Sequence, residues 1–324
     1  MIKPKVGLYW CSSCGGCEES VVDLAENLLT LVEAVDIVFW PVALDFKYSD
    51  VEALADGEMA AVLINGAIRL SEQEEVAKLL RRKAKLVFAH GACAHLGGVV
   101  GLGNFSSRED LLNCAYRDAP ALGGNSVIMP QAETHQNGHV VELPTLNKAT
   151  QPLDRVIEVD YYIPGCPPTP EILWNALTAL LEGRLPAKGA VLADNHTLCD
   201  SCSRRHSKPE KLDIDVMKRV YQTEICPDRC FLAQSLVCLG PATRGGCQER
   251  CLKANMPCTG CFGPTDQVTE QGAKFLSCLA SQATAKEPQG VEKFVASLPD
   301  PAGLFYRYSL AASALKGTAK KERS

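Results

Sequence analysis

Two hydrophobic periods alternate along the front half of the chain. Short apolar runs at Val6–Trp10, Asp36–Trp40, Ala60–Asn65 and Lys85–Ala89 have the length and side-chain type of strands. Between the first two, Glu18–Leu31 repeats apolar residues at three- and four-residue spacing, which predicts a helix. Ser71–Arg82 predicts a charged amphipathic helix, with Ser71 as N-cap and Glu74 three residues on in a capping-box pattern. Val156–Ile163 predicts a further strand and Pro170–Glu182 a helix, with Gly183 as the glycine that commonly ends one. Strands alternating with helices imply a parallel sheet with right-handed crossovers. From Cys199 onward helical periodicity is scarce and loops dominate, which predicts a weak core there.

Composition narrows the function. Of 324 residues, 46% are apolar, enough for a real core of one or two domains, and 22% are charged, ordinary for a soluble protein. A net charge of −5 leaves no excess of Lys and Arg to neutralise phosphates, which argues against a nucleic-acid partner. The basic tail Lys316, Lys320, Lys321 and Arg323 reads as a solvated end. No stretch reaches the roughly 18 apolar residues a membrane span needs. The start carries neither a twin-arginine signal nor a secretory core, so the protein is expected to stay in the cytoplasm.

In a reducing compartment 16 cysteines point to metal rather than disulfides. Six precede residue 199 and ten lie between Cys199 and Cys278. In the front half Cys14 and Cys17 follow the first strand, Cys93 the Lys85–Ala89 strand and Cys166 the strand ending near Ile163. The C-terminal ends of parallel strands share one edge, where open α/β sheets place ligands, so these four thiols are expected to converge. Gly15, Gly16, Gly91 and Gly165 beside them let backbone N–H groups come close to sulfur. Cys11 is surplus to four ligands, and Cys114, in the helical pattern Arg108–Tyr116, reads as a buried thiol.

The back half offers Cys199-x-x-Cys202, Cys226-x3-Cys230 with Cys238, Cys247-x3-Cys251 and Cys258-x-x-Cys261. Such spacings let two thiolates from one turn reach one centre. Cys247, Cys251, Cys258 and Cys261 form the tightest group; Cys199, Cys202, Cys230 and Cys238 remain, with Cys226 as substitute for Cys230. Metal binding is expected to supply much of this segment's folding free energy. Spacing leaves zinc and iron–sulfur both open. His90 and His95 flank Cys93, His196 precedes Cys199, and Arg204-Arg205-His206 is a basic stretch, either solvated or facing a partner. Gly97-Gly98-Val99-Val100-Gly101-Leu102-Gly103 lacks the order of a nucleotide-binding glycine fingerprint.

Three front-half motifs resemble the small subunit of NiFe hydrogenases. They are Ser13-Cys14-Gly15-Gly16-Cys17-Glu18-Glu19-Ser20, Gly91-Ala92-Cys93-Ala94-His95-Leu96-Gly97-Gly98-Val99 and Pro164-Gly165-Cys166-Pro167-Pro168. Cys230 through Cys247 and Asn255 through Pro264 resemble the cytoplasmic group 3 branch, of methyl-viologen-reducing rather than deazaflavin-reducing type. The resemblance implies an α/β fold: a flavodoxin-like parallel-sheet domain over residues 1–186, then a loop-rich, cysteine-rich iron–sulfur domain over 187–324. It implies three 4Fe–4S clusters: a proximal one on Cys14, Cys17, Cys93 and Cys166, a medial one on Cys247, Cys251, Cys258 and Cys261, and a distal one on Cys199, Cys202, Cys230 and Cys238. Cys199 stands where many relatives carry a distal His, and Cys251 supplies a fourth medial ligand. Implied partners are the NiFe large subunit and an iron–sulfur adaptor or acceptor subunit, heterodisulfide reductase-like or flavin-containing. No catalytic residue is expected on this chain; Glu18 and Glu19 are candidates for a proton path or for contact with the large subunit. The cluster-bearing subunit of respiratory complex I shares the front half but lacks the back half. The other readings are an electron-transfer adaptor of a non-hydrogenase complex and a structural zinc protein.

Overall fold

The computed structural model describes residues 3–122, 128–285, 287–298 and 300–315, so the basic tail from Lys316 lies outside the described residues. Five parallel strands make the main sheet: β1 (Lys5–Trp10), β2 (Asp36–Phe39), β3 (Met59–Asn65), β4 (Ala84–His90) and β5 (Tyr161–Ile163). Their order is β2-β1-β3-β4-β5, the flavodoxin-like order, whose topological switch point lies between β1 and β3. Helices α1 (Gly16–Val22), α2 (Glu26–Ala34), α3 (Ser71–Lys83), α4 (Ala92–Leu96) and α5 (Pro170–Leu181) complete this half. Tyr9, Val62, Ile64 and Val87 pack with Val76 and Leu80 of α3 on one face of the sheet. Leu8, Leu63 and Phe88 pack with Val21 of α1 and Leu173 and Leu177 of α5 on the other. Burial on both faces is why β3 is apolar at successive positions instead of alternating.

Register fixes where the loops begin. Trp10 pairs with Asn65, Asn65 with His90, and His90 with Ile163, so four strands end at one level. The loops that carry Cys14, Cys17, Cys93 and Cys166 leave from that edge, as the alternation of strands and helices predicts.

Local details depart from the pattern. The expected helix Glu18–Leu31 is two helices, broken at Ala25, whose φ is +52°. The apolar spacing continues across the break, so periodicity alone does not register it. Ser71 is not the cap of α3: its Oγ accepts the Thr145 N–H at 3.0 Å. The Gln73 side chain instead accepts the N–H groups of Arg69 and Leu70, each at 3.0 Å. The strand expected over Val156–Ile163 shortens to β5. Its first half holds Asp160, a buried carboxylate 2.6 Å from both Arg81 and Lys188, which also takes the Val87 N–H at 2.8 Å. The helix Arg108–Tyr116 is present, but Cys114 on it is exposed, because that helix buries none of its residues.

The back half has more core than its loops suggest. Helices α6 (Gln271–Gln282), α7 (Pro288–Ala296) and α8 (Pro301–Phe305) supply Phe275, Leu279, Phe294 and Phe305. These pack with Leu198, Leu212, Phe231, Leu239 and Leu310, which overturns the expectation of a weak core. Short helices and single loop residues far apart in sequence share this core, so only Phe275 and Leu279, four apart on one helix, show a local period. Phe262 joins the front-half core instead. Arg244, only 2% exposed, donates to the carbonyls of Asp194 and Pro264 and pairs with Asp266. No helix among the described residues is long and apolar enough to cross a membrane.

Phe275 is fully buried and its ring lies 5.6 Å from that of Phe305. Phe275→Ala is therefore expected to cost about 3–5 kcal/mol in denaturant unfolding of the cluster-loaded protein. A loss below about 1 kcal/mol would mean that metal, not this core, holds the back half together.

Candidate metal centres

The first quartet is assembled by the sheet edge. Gly91 N–H donates to Ile163 O at 2.8 Å and Ala92 N–H to Gly165 O at 2.6 Å, which ties the Cys93 loop to the Cys166 loop. A Cβ built on Gly91, at φ +87°, would lie 2.3 Å from Cys17 Sγ, and one on Gly98, at φ +60°, 2.2 Å from Cys93 Sγ. Backbone thus reaches two of the sulfurs at distances no side chain permits. Burial first, and then the charges of Cys93, Cys166 and Cys14, push the Cys17 thiol far above its ordinary range. Cys93 is pushed up to about 12 by burial and by Cys166 and Cys14. The structure therefore brings together all four front-half cysteines that sequence reasoning selected.

A second cavity, of about 230 Å³, is lined by Cys247, Cys251, Cys258 and Cys261, with Cys166 at one side and Glu249 and Arg250 among its other residues. Cys261 is pushed up to about 12 by burial, against which the Cys166 N–H lowers it. The third group, Cys199, Cys202, Cys230 and Cys238, lines a tighter cavity with Leu198, Phe231, Leu232 and Leu252. Cys238 is pushed up to about 11 by burial, relieved by the N–H groups of Gly240 and Cys258. Each quartet thus touches the next: Cys166 meets Cys261, and Cys258 meets Cys238.

The candidates outside these groups separate cleanly. Cys226 is exposed and absent from the third cavity, its N–H taken by Gln234 Oε1 at 2.8 Å, whereas Cys230 lines that cavity. Cys11 is buried beside the Gly66 turn, away from the quartets, and Cys278 lies on α6. His90 is buried against Ser20 Oγ at 3.1 Å, and burial drops its pKa to about 4, so it is neutral. His95 stacks on Tyr162 at 4.6 Å and is likewise lowered to about 4, by burial and then by Arg244. His196 faces Asp194 at 3.6 Å and is not among the residues around the third cavity. Glu19 is exposed, while Glu18 is buried and accepts from Trp40 Nε1 and, at 2.5 Å, from Asn65 Nδ2. Burial raises the Glu18 pKa despite those two donors.

Sequence reasoning missed Arg204. Within its basic stretch it reads as surface, yet it is buried. It donates to the carbonyls of Cys226, Arg229 and Leu252 and, at 2.8 Å, to Asn255 Oδ1, and it stacks 4.1 Å over Phe231. One guanidinium therefore pins several loops around the second and third quartets. Neighbouring Arg205 and His206 are exposed, and nothing in the local sequence separates the three.

At the second cavity the donor set has room for a polyatomic group, whereas the third cavity measures about 30 Å³. The second cavity is many times the roughly 15 Å³ that one water requires. All-sulfur ligation from short Cys-x2-Cys and Cys-x3-Cys turns is the usual donor set of 4Fe–4S centres.

The family model of the NADH ubiquinone oxidoreductase 20 Kd subunit matches residues 14–180 and so spans the first quartet alone. Relatives that run the full length are hydrogenase subunits. The iron-sulfur subunit of the F420-non-reducing hydrogenase of Archaeoglobus profundus is 34% identical over 309 residues, covering 94% of this chain and 96% of that protein. A subunit of the F420-non-reducing hydrogenase of Methanothermobacter marburgensis is 34% identical over 323 residues, covering 99% and 98%. In fold, the chain is similar to a solved NiFeSe hydrogenase chain from Desulfovibrio Vulgaris Hildenborough, with a TM-score of 0.53 at 19% identity over 82% of this chain and 94% of that one. With the α/β sheet, the motif order and both full-length relatives in agreement, this chain belongs to the small subunits of the F420-non-reducing hydrogenases, within the wider family of the NADH ubiquinone oxidoreductase 20 Kd subunit.

Proposed function

We propose that this subunit relays electrons from hydrogen oxidation at a NiFe site on a large-subunit partner, through three 4Fe–4S clusters, to an acceptor subunit. The single observation that carries the reading is the series of three cysteine quartets, consecutive ones touching at Cys166–Cys261 and Cys258–Cys238. The proximal cluster belongs to Cys14, Cys17, Cys93 and Cys166, the medial to Cys247, Cys251, Cys258 and Cys261, and the distal to Cys199, Cys202, Cys230 and Cys238. Bound there, such clusters supply one-electron carriers whose low potentials suit hydrogen and low-potential acceptors.

The chain's own residues do the rest. Gly91 and Gly98 let backbone close over the Cys17 and Cys93 sulfurs and shut out water. N–H groups of Val99, Gly240 and Gly260 act on Cys93, Cys238 and Cys258, and such donors favour thiolate over thiol. Glu18, its pKa raised by burial, stands beside the first quartet with its carboxyl held by Trp40 and Asn65. The large subunit is assigned to the sheet edge that carries the proximal quartet. The acceptor, an iron–sulfur adaptor, a heterodisulfide reductase-like or a flavin-containing subunit, is assigned to the Cys199–Cys238 end. The working place is the cytoplasm.

Metal analysis of the anaerobically purified complex tests the whole reading. Iron and acid-labile sulfide near 12 each per copy of this chain, beyond any clusters of partners, with about one nickel, are expected from three 4Fe–4S centres and a NiFe partner. Zinc without sulfide would refute it. Ligand choice is tested by exchange: Cys230→Ser should remove about a third of the iron, while Cys226→Ser leaves it intact. Equal loss in both would put the distal assignment wrong. Gly98→Ala places a methyl on the Cys93 sulfur and should likewise cost about a third of the iron and sulfide. A fully loaded variant would show that this loop yields, and that the close approach is not needed.

A further inference from the structure

The C-terminal segment returns to the first quartet. Gly98 N–H donates to Tyr308 O at 3.0 Å. A Cβ on Gly97 would lie 2.4 Å from Ala311 Cβ, and one on Gly101 3.1 Å from the same atom. The glycines that make no nucleotide fingerprint therefore admit this segment. From that anchor the Tyr308 side chain reaches the loop of the second quartet, where its Oη lies 3.1 Å from Thr259 Oγ1, between Cys258 and Cys261. Tyr308 thus takes its place from one quartet by its main chain and from the next by its side chain. It does so at the junction where the Cys166 N–H acts on the Cys261 sulfur.

We propose that Tyr308 is a positioning residue of the electron path: its hydroxyl, anchored on Thr259, tunes the centres held on either side of the Cys166–Cys261 junction. The inference rests on the cluster reading above. The hydroxyl is a dipole fixed on Thr259, between Cys258 and Cys261, and polar groups fixed beside cluster sulfurs stabilise the more electron-rich state. Its removal should lower the potentials of the medial centre and, less, of the proximal one. The distal centre, reached through Cys258 and Cys238, should not respond.

Tyr308→Phe keeps the ring and deletes the hydroxyl, and it is tested in the whole complex by anaerobic redox titration followed by EPR. The medial midpoint is expected to fall by up to about tenfold in the one-electron equilibrium constant, about 59 mV, with the distal midpoint unmoved. Thr259→Val, which releases the hydroxyl, should shift the same centre, and the double variant should not exceed Tyr308→Phe alone. Unchanged midpoints in Tyr308→Phe, with iron lost only in Tyr308→Ala, would leave packing as its role and overturn the proposal. Loss of iron and sulfide in Tyr308→Phe would overturn it too, since the hydroxyl would then serve cluster loading. Wild-type complex without acid-labile sulfide would sink the cluster reading itself, before any variant is made.

Discussion

A cysteine binds metal as thiolate, and burial opposes that charge. The conflict runs through this molecule, because Cys17, Cys93, Cys199, Cys238, Cys258 and Cys261 are all raised, with burial the first cause in each. Neighbouring thiols in each quartet make it worse. The fold answers with backbone N–H groups: Val99 on Cys93, Glu249 on Cys247, Gly260 on Cys258, and Gly240 and Cys258 on Cys238. Peptide dipoles ease the penalty without removing it. Donor placement depends in turn on loops that start from a fixed level, which the register of β1, β3, β4 and β5 provides.

Convergence of the front-half cysteines was legible because it needs only topology: parallel strands share an edge, and a thiol just past each strand end must lie along it. The quartets of the back half were legible from Cys-x2-Cys and Cys-x3-Cys spacing, since a single turn is a local object. What stayed hidden is made by single residues meeting over long sequence separation. Arg204 is indistinguishable in sequence from Arg205, yet one is buried beneath several carbonyl oxygens and the other is exposed. Phe275, Phe305 and Leu310 belong to no common period, so the back-half core shows only once the chain is folded. Tyr308 has no motif at all; the signal that could have found it is the Gly97-Gly98 pair, whose missing side chains ask what occupies their place.

The two ends of the cysteine series differ in electrostatic character. Around the first quartet burial lowers His90 and His95 to about 4 and raises Glu18, and the buried cation Arg244 acts on His95. At the third quartet Lys208 lowers Cys199, while on Cys202 the N–H and charge of Arg204 work against Glu249 and Cys230. Lys208 is exposed and open to screening by salt, but Arg204 is buried and keeps its effect at physiological ionic strength. A cation beside a sulfur favours whichever state carries more negative charge. In the proposed relay that is the reduced state, which Lys208 and Arg204 favour at the third centre and Glu249 opposes. The same Arg204 that pins the loops by its guanidinium therefore also acts on Cys202 by its charge, and those two roles cannot be separated by any substitution that removes the guanidinium.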